Sequence, residues 1–232
     1  MKLTILGCGR FQITSHYNST GNLVSTNQTN ILVDFGRGCL HALTKLGKQV
    51  SDIDAICISH THPDHVADLL AFFQIFFITC PDKPLVIIGP AGIREWFTTM
   101  ASLVREKLPT QVTIYEQPTA AIEVADITIT TAPMAHTVPD TAFCFEQAGH
   151  RLVYSGDTGM NDQIVTLAKD ADLLLLECSN VSGQITAHHL NPEQCLDIAR
   201  RANVRRLLLT HYGEGIFSGT LEVAKELMTI EL

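Results

Sequence analysis

The sequence has no Cys-x-x-Cys pair, no repeat, no low-complexity tract and no long linker. It also has no apolar run long enough to span a bilayer. The seven cysteines, at 8, 39, 57, 80, 144, 178 and 195, are odd in number and scattered. That pattern argues against a disulfide framework and for free thiols in a reducing compartment. Cys57 and Cys144 lie in apolar runs and read as small buried hydrophobes. The most apolar stretch, Val66 to Cys80, is interrupted by Asp68 and Gln74. Met1 to Gly7 is too short an apolar run for a signal peptide and reads as a first strand. The expected location is the cytoplasm. Positive charge is also scarce: Lys and Arg number 16 against 24 Asp and Glu, for a net charge of −8. Nucleic-acid affinity comes mainly from neutralising phosphates, so an acidic chain is a poor general scaffold for it. Arg200, Arg201, Arg205 and Arg206 lie close together but flank a helix end and read as a solvated face. Gly7-Cys8-Gly9 lacks the spacing of a dinucleotide fingerprint, so no dinucleotide cofactor is expected.

What remains is an ordinary globular composition, 46% hydrophobic and 17% charged. At 232 residues it suits one domain spanning 1–232. The pattern predicts strands near 2–6 and 22–34, a helix over 38–47, strand 53–58, helix 65–79, strand 85–88 and helix 91–105. A second half follows: strands at 111–116, 122–132, 141–146 and 151–155, helix 161–168, strand 172–177, helix 191–202, strand 205–209 and a terminal strand near 221–231. Asn191-Pro192 is a helix start, with Asn as cap and Pro at the first position. Hairpin-like strands open each half and strand–helix alternation closes it. The implied fold is α/β, a four-layer αββα sandwich with its site along one edge of the sheets. Apolar residues cover nearly the whole circumference of helix 65–79, which suits burial in a core or a subunit interface and leads us to expect a homodimer.

Residues 59–65 read Ser-His-Thr-His-Pro-Asp-His, so His60, His62, Asp64 and His65 fall within six positions, between a predicted strand and a predicted helix. Alternation places His60 and His62 on one side of the chain while Asp64 and His65 point elsewhere, which suits two neighbouring ions better than one. Further metal-competent residues follow predicted strands: His136 after Ile127–Ala132, Asp157 in Tyr154-Ser-Gly-Asp-Thr158, and His211 in Leu207-Leu-Leu-Thr-His211. Singly, Asp157 is readable as a turn former and His211 as a core histidine. Together they form a nitrogen–oxygen ligand set with an aspartate suited to bridging.

His60-x-His62-x-Asp64-His65, His136, Ser155-Gly-Asp-Thr158 and Thr210-His211 resemble the ordered motifs of the metallo-β-lactamase superfamily over nearly the whole chain. Gly89-Pro-Ala-Gly92, Leu173-Leu-Leu-Leu-Glu177 and Ala187-His188 resemble its ribonuclease Z-like branch. The resemblance implies that His60, His62, His136 and Asp157 hold one ion, and Asp64, His65, Asp157 and His211 the other. It also implies a general acid at His188, held by Glu177, with the neighbour His189 as the alternative.

Chemistry agrees independently. A ligand set without thiolate suits Zn²⁺ first, or Mn²⁺ or Fe²⁺. Two such ions leave a cationic centre that attracts an anionic group, acidifies a shared water and clamps the oxygens of an in-line displacement. A phosphodiester fits these demands, with Asp64 orienting the attacking hydroxide. Between Cys80 and His136 there is no Gly-rich or basic insertion to serve as the tRNA-gripping arm of tRNA-processing relatives, and Tyr212-Gly-Glu-Gly215 stands where they place an Arg-Tyr pair. We therefore expect a small or accessible phosphodiester, such as a cyclic nucleotide, cyclic phosphate or RNA 3′ end, with tRNA less favoured. A thioester, lactone or amide hydrolase on the same fold is the alternative, distinguished by its lesser need for Glu177 and His188. A di-iron oxidoreductase would resemble relatives with a carboxylate at position 62, and a non-catalytic module would tend to lose its ligands. Asp34 suits either a turn cap or a partner for a ligating histidine.

Overall fold

The computed structural model describes residues 1–12, 14–105, 110–213 and 221–232. The first half comprises β1 (Lys2–Gly7), β2 (Gly21–Ser25), β3 (Asn30–Phe35), α1 (Cys39–Lys45), β4 (Ala55–Cys57), α2 (Pro63–Val66), α3 (Leu69–Thr79), β5 (Leu85–Gly89), α4 (Ile93–Ser102) and β6 (Val112–Glu116). The second comprises β7 (Ile122–Val124), β8 (Ile127–Met134), β9 (Asp140–Gln147), β10 (His150–Tyr154), α5 (Asp162–Leu167), β11 (Leu173–Glu177), α6 (Pro192–Arg201), β12 (Leu207–Thr210) and β13 (Thr229–Glu231). A seven-stranded sheet runs β13-β1-β2-β3-β4-β5-β6 and a six-stranded sheet runs β12-β11-β10-β9-β8-β7. In each, antiparallel pairs formed by early strands give way to parallel pairs separated by helices.

Side-chain alternation builds the four layers. On β11, Leu173 and Leu175 face the core between the sheets, beside Ile5, Val33, Cys57, Phe143 and Leu208. Leu174 and Leu176 face the other way, under Ile164 of α5 and Cys195 and Ile198 of α6. The outer face of the first sheet is covered likewise: Leu32, Ile56 and Ile87 pack on Leu43, Phe72, Phe76 and Phe97 from α1, α3 and α4. Strands apolar on both faces are therefore what this architecture requires. The seven cysteines are all free and buried. Among the described residues no helix is long and apolar enough to cross a membrane.

Two expectations shift in detail. Helix 65–79 is two helices, because the Asp68 N–H donates to the Phe35 carbonyl at 3.1 Å and its carboxylate accepts the Leu40 N–H at 2.9 Å. The terminal strand is confined to Thr229–Glu231 and joins the first sheet beside β1, so the chain end ties the two halves together. The expected Tyr212–Gly215 feature lies in part outside the described residues. The apolar circumference of α3 is largely spent inside the chain: Leu69, Phe72, Phe73, Phe76 and Phe77 are buried, leaving Ile75 and Ile78 exposed. The arginines at the end of α6 and the start of β12 are ion-paired with Asp197, Asp162, Asp172 and Glu222, a solvated face as expected.

Phe72→Ala should lower unfolding stability by about 3–5 kcal/mol, the cost of truncating a fully buried aromatic. Ile78→Ala should change it by less than about 0.5 kcal/mol. Urea unfolding at two protein concentrations checks both, because a cost for Ile78→Ala that varies with concentration would place that face in a subunit contact.

Candidate metal centre

The charged and imidazole side chains converge because they sit at or just beyond the carboxyl ends of adjacent strands. His60 and His62 follow β4, and α2 opens with Pro63 at its first position, which presents Asp64 and His65 in its first turn. His136 follows β8, Asp157 follows β10, Glu177 ends β11 and His211 follows β12. The turn before Asp157 requires glycine: Gly156 has φ 62°, and a Cβ there would lie 2.3 Å from Asp140 Oδ1 and 2.8 Å from the Ser59 Cβ. Asp34 and His211 also hold positive φ, 55° and 54°, a conformation kept only where the surroundings enforce it.

Two clusters share Asp157. In the first, His62 Nδ1 lies 3.0 Å from His60 Nε2 and 3.2 Å from His136 Nε2, and Asp157 Oδ2 is 3.9 Å from both His60 Nε2 and His136 Nε2. In the second, His211 Nε2 is 3.2 Å and His65 Nε2 3.9 Å from Asp64 Oδ2, while Asp157 Oδ1 is 3.5 Å from His65 Nε2. The structure thus brings His60, His62, Asp64, His65, His136, Asp157 and His211 together around one centre.

Outer partners orient the rings. His60 Nδ1 donates to Asp140 Oδ2 at 2.8 Å, and His65 Nδ1 donates to Asp34 Oδ2 at 2.8 Å. His136 Nδ1 donates to the His188 carbonyl at 3.2 Å. His211 Nδ1 donates to Ser179 Oγ at 2.7 Å, which in turn donates to the His211 carbonyl at 2.9 Å. Each bond leaves an Nε2 lone pair turned toward the centre, the tautomer a metal ligand needs. Asp34 is held in turn by the Ser59 hydroxyl and N–H, each at 2.7 Å, and by the Tyr154 hydroxyl at 2.6 Å. It is therefore a histidine partner and not a turn cap. Asp140, Ser59, Tyr154 and Ser179 were not singled out from the sequence. Asp140 follows Pro139 at the mouth of a strand, and only the packing of β9 beside β10 carries it to His60.

The expected partnership of His188 with Glu177 requires correction. The His188 ring is exposed, and its contribution to the site is its main-chain carbonyl. The imidazole on Glu177 belongs to His189, whose Nδ1 donates to Glu177 Oε1 at 2.9 Å and lies 4.0 Å from Asp157 Oδ2. Two bonds fix this choice: the His189 N–H donates to Thr186 Oγ1 at 3.2 Å, and its carbonyl accepts from Asn180 Nδ2 at 2.9 Å. Glu177 itself is fully buried and accepts the N–H groups of Thr158 (3.1 Å) and Ser179 (2.9 Å).

With this geometry established, likeness to known proteins becomes informative. The Beta-lactamase superfamily domain matches residues 29–212. The chain belongs to the metallo-β-lactamase superfamily. It is a metallo-hydrolase of the ribonuclease Z-like branch. The probable metallo-hydrolase YhfI of Bacillus subtilis (strain 168) is 30% identical over 246 residues, covering 97% of each chain. The crystal structure of YhfI matches this chain with a TM-score of 0.86 at 26% identity, over 99% of both chains. A ribonuclease Z from Methanothermobacter thermautotrophicus is 24% identical, covering 100% of this chain and 97% of the relative. The short form of human tRNase Z shares the fold, with a TM-score of 0.82 at 22% identity over 100% of this chain and 99% of that one.

The site of this metallo-hydrolase has the electrostatics of a cation cradle. Burial pushes His60 down to about 3 against the pull of Asp34, and pushes His136 down to about 3 as well, so these rings are neutral donors at neutral pH. Burial, then His60 and His211, holds His65 well below the usual range. Burial, then Glu177, Asp140 and Asp64, drives Asp157 well above the carboxylate range. Among the described residues no Lys or Arg pairs with Asp157. His65 Nε2 and Asp157 Oδ1 are buried without a hydrogen-bond partner. Orphaned buried donors and acceptors are costly, and a divalent cation would satisfy both and relieve the carboxylate repulsion. These residues fit the metals that the superfamily implies.

Asp34→Asn and Asp140→Asn should each weaken metal binding about 10–100-fold by releasing His65 and His60 respectively. Competition with a chelator measures this, with circular dichroism reporting the fold. Undiminished affinity in both would exclude the orienting role.

Proposed function

We propose that this metallo-hydrolase cleaves a small or accessible phosphodiester. The observation that carries the reading is the His189–Glu177 pair, a positioned proton donor facing the same cavity as the metal-ligating cluster. A departing alkoxide needs that proton, whereas an acyl hydrolase has less need of a separate acid at its leaving group. His60, His62, His136 and Asp157 would hold one divalent ion, and Asp64, His65, His211 and Asp157 the other. Their nitrogen–oxygen donors suit Zn²⁺ first, with Mn²⁺ and Fe²⁺ also compatible. When bound, the ions supply positive charge to the reacting phosphoryl oxygens and acidify a shared water.

The protein's own groups do the rest. Asp64, whose Oδ2 lies 3.2 Å from His211 Nε2, accepts a hydrogen bond from the attacking water and aims it. His189 delivers a proton to the leaving oxygen. Glu177, fixed by two backbone N–H groups, sets the ring's orientation. The acidic surface and the ion-paired arginines of α6 favour a small substrate over a bulky RNA.

Metal-loaded protein should hydrolyse a diaryl phosphodiester, and Asp64→Ala should abolish that activity. Silence from protein shown to hold two metals would favour thioesters and lactones instead. His189→Ala should slow diesters with poor leaving groups about 10²–10⁴-fold while sparing activated aryl diesters. His188→Ala should be the milder substitution on both. Equal losses for both substrate types in His189→Ala would remove its role as the acid.

A further inference from the structure

The cavity over the metal cluster has a volume of about 400 Å³, within the range of small-ligand sites. One wall is the imidazole–carboxylate cluster already described. Part of its lip is Arg10 and Phe11, from the turn after β1, which the proposed reaction does not use. Arg10 is held in place. Its Nη1 donates to the Ser179 carbonyl at 2.9 Å and its Nε to Gln12 Oε1 at 2.6 Å. Ser179 is the residue whose hydroxyl holds His211, so the guanidinium is anchored one residue from a metal-ligating side chain. Gly213 makes room for it, because a Cβ there would lie 2.9 Å from Arg10 Nε and 3.1 Å from Nη2.

Arg10 is the one permanent cation among the described residues lining this cavity. Arg151, Arg201, Arg205 and Arg206 each face a carboxylate of the chain, but among the described residues no carboxylate pairs with Arg10. A guanidinium carries five N–H donors, and the two bonds above leave Nη2 available to an incoming anion. Phe11 is 67% exposed, and Arg10 Cζ lies over one face of its ring, 5.6 Å from the centre. A cation stacked on an otherwise exposed aromatic ring is a combination that receives a phosphate together with a nucleobase.

Building on the phosphodiesterase reading above, we infer that Arg10 and Phe11 select a nucleotide phosphodiester. Arg10 holds a non-reacting phosphate oxygen and Phe11 stacks on the base. Simple alkyl diesters engage no stacking face and are the poorer substrates.

Two probes share one leaving group and differ only in the nucleoside: the p-nitrophenyl ester of thymidine 5′-monophosphate, and methyl p-nitrophenyl phosphate. Wild type should prefer the thymidine ester in kcat/KM. Phe11→Leu should lower that preference about ten-fold, mainly through KM, and Phe11→Trp should restore it. Arg10→Ala should weaken equilibrium binding of thymidine 5′-monophosphate by about ten-fold or more, read by calorimetry. Metal-loaded wild type that cleaves both esters, with neither the preference in Phe11→Leu nor the binding in Arg10→Ala altered, overturns this inference alone. Wild type that cleaves neither ester overturns the phosphodiesterase reading and this inference with it.

Discussion

Asp157 is buried at the meeting point of two sheets, with Asp34, Asp64, Asp140 and Glu177 close enough to raise its pKa. A buried cluster of that many carboxylates is unfavourable unless positive charge is supplied. Nearby imidazoles do not supply it, since burial keeps His60 and His65 neutral. The surrounding structure is arranged around this unmet demand. Strands β4, β8, β10, β11 and β12 all end at it, and each delivers a side chain with a lone pair or a negative charge.

Holding such a cluster open before any ion arrives requires a rigid second layer. Asp34 receives three side-chain groups, from Ser59, His65 and Tyr154, and Tyr154 comes from the opposite sheet. Asp140 takes the His60 ring and also accepts the Asp157 N–H at 3.2 Å, so one carboxylate orients a ligand from each sheet. The core between the sheets and the polar layer at their edge are therefore mechanically continuous. The backbone carries a cost there, as the left-handed φ values of Asp34 and His211 show.

Division of labour follows from position. Residues on strand ends and on α2 are set by packed elements and suit the reacting groups. Arg10 and Phe11 stand on the β1–β2 connection, over the cavity mouth, where sequence can vary without disturbing the core. In this reading the superfamily's common chemistry resides in the sheets, and substrate choice resides in what the loops place above them.

The identities of the metal-competent residues and the alternation of strand and helix were legible in the sequence, because both are local. The spacing of His60, His62, Asp64 and His65 lies within one turn, and short apolar runs such as Leu173–Leu176 suit strands covered on both faces. The αββα layering followed from the order of those elements. Other features depended on tertiary structure. His188 and His189 are chemically identical neighbours, and a rotation of one residue decides which ring meets Glu177. Asn180 and Thr186 make that choice by hydrogen bonds that no pattern reveals. Tyr154 reaches Asp34 across 120 residues, and Arg10 reaches Ser179 across 169. Such contacts arise only when two sheets pack at a particular register. Local sequence encodes periodicity and ligand type, while the meeting of distant side chains is set by how the whole core closes.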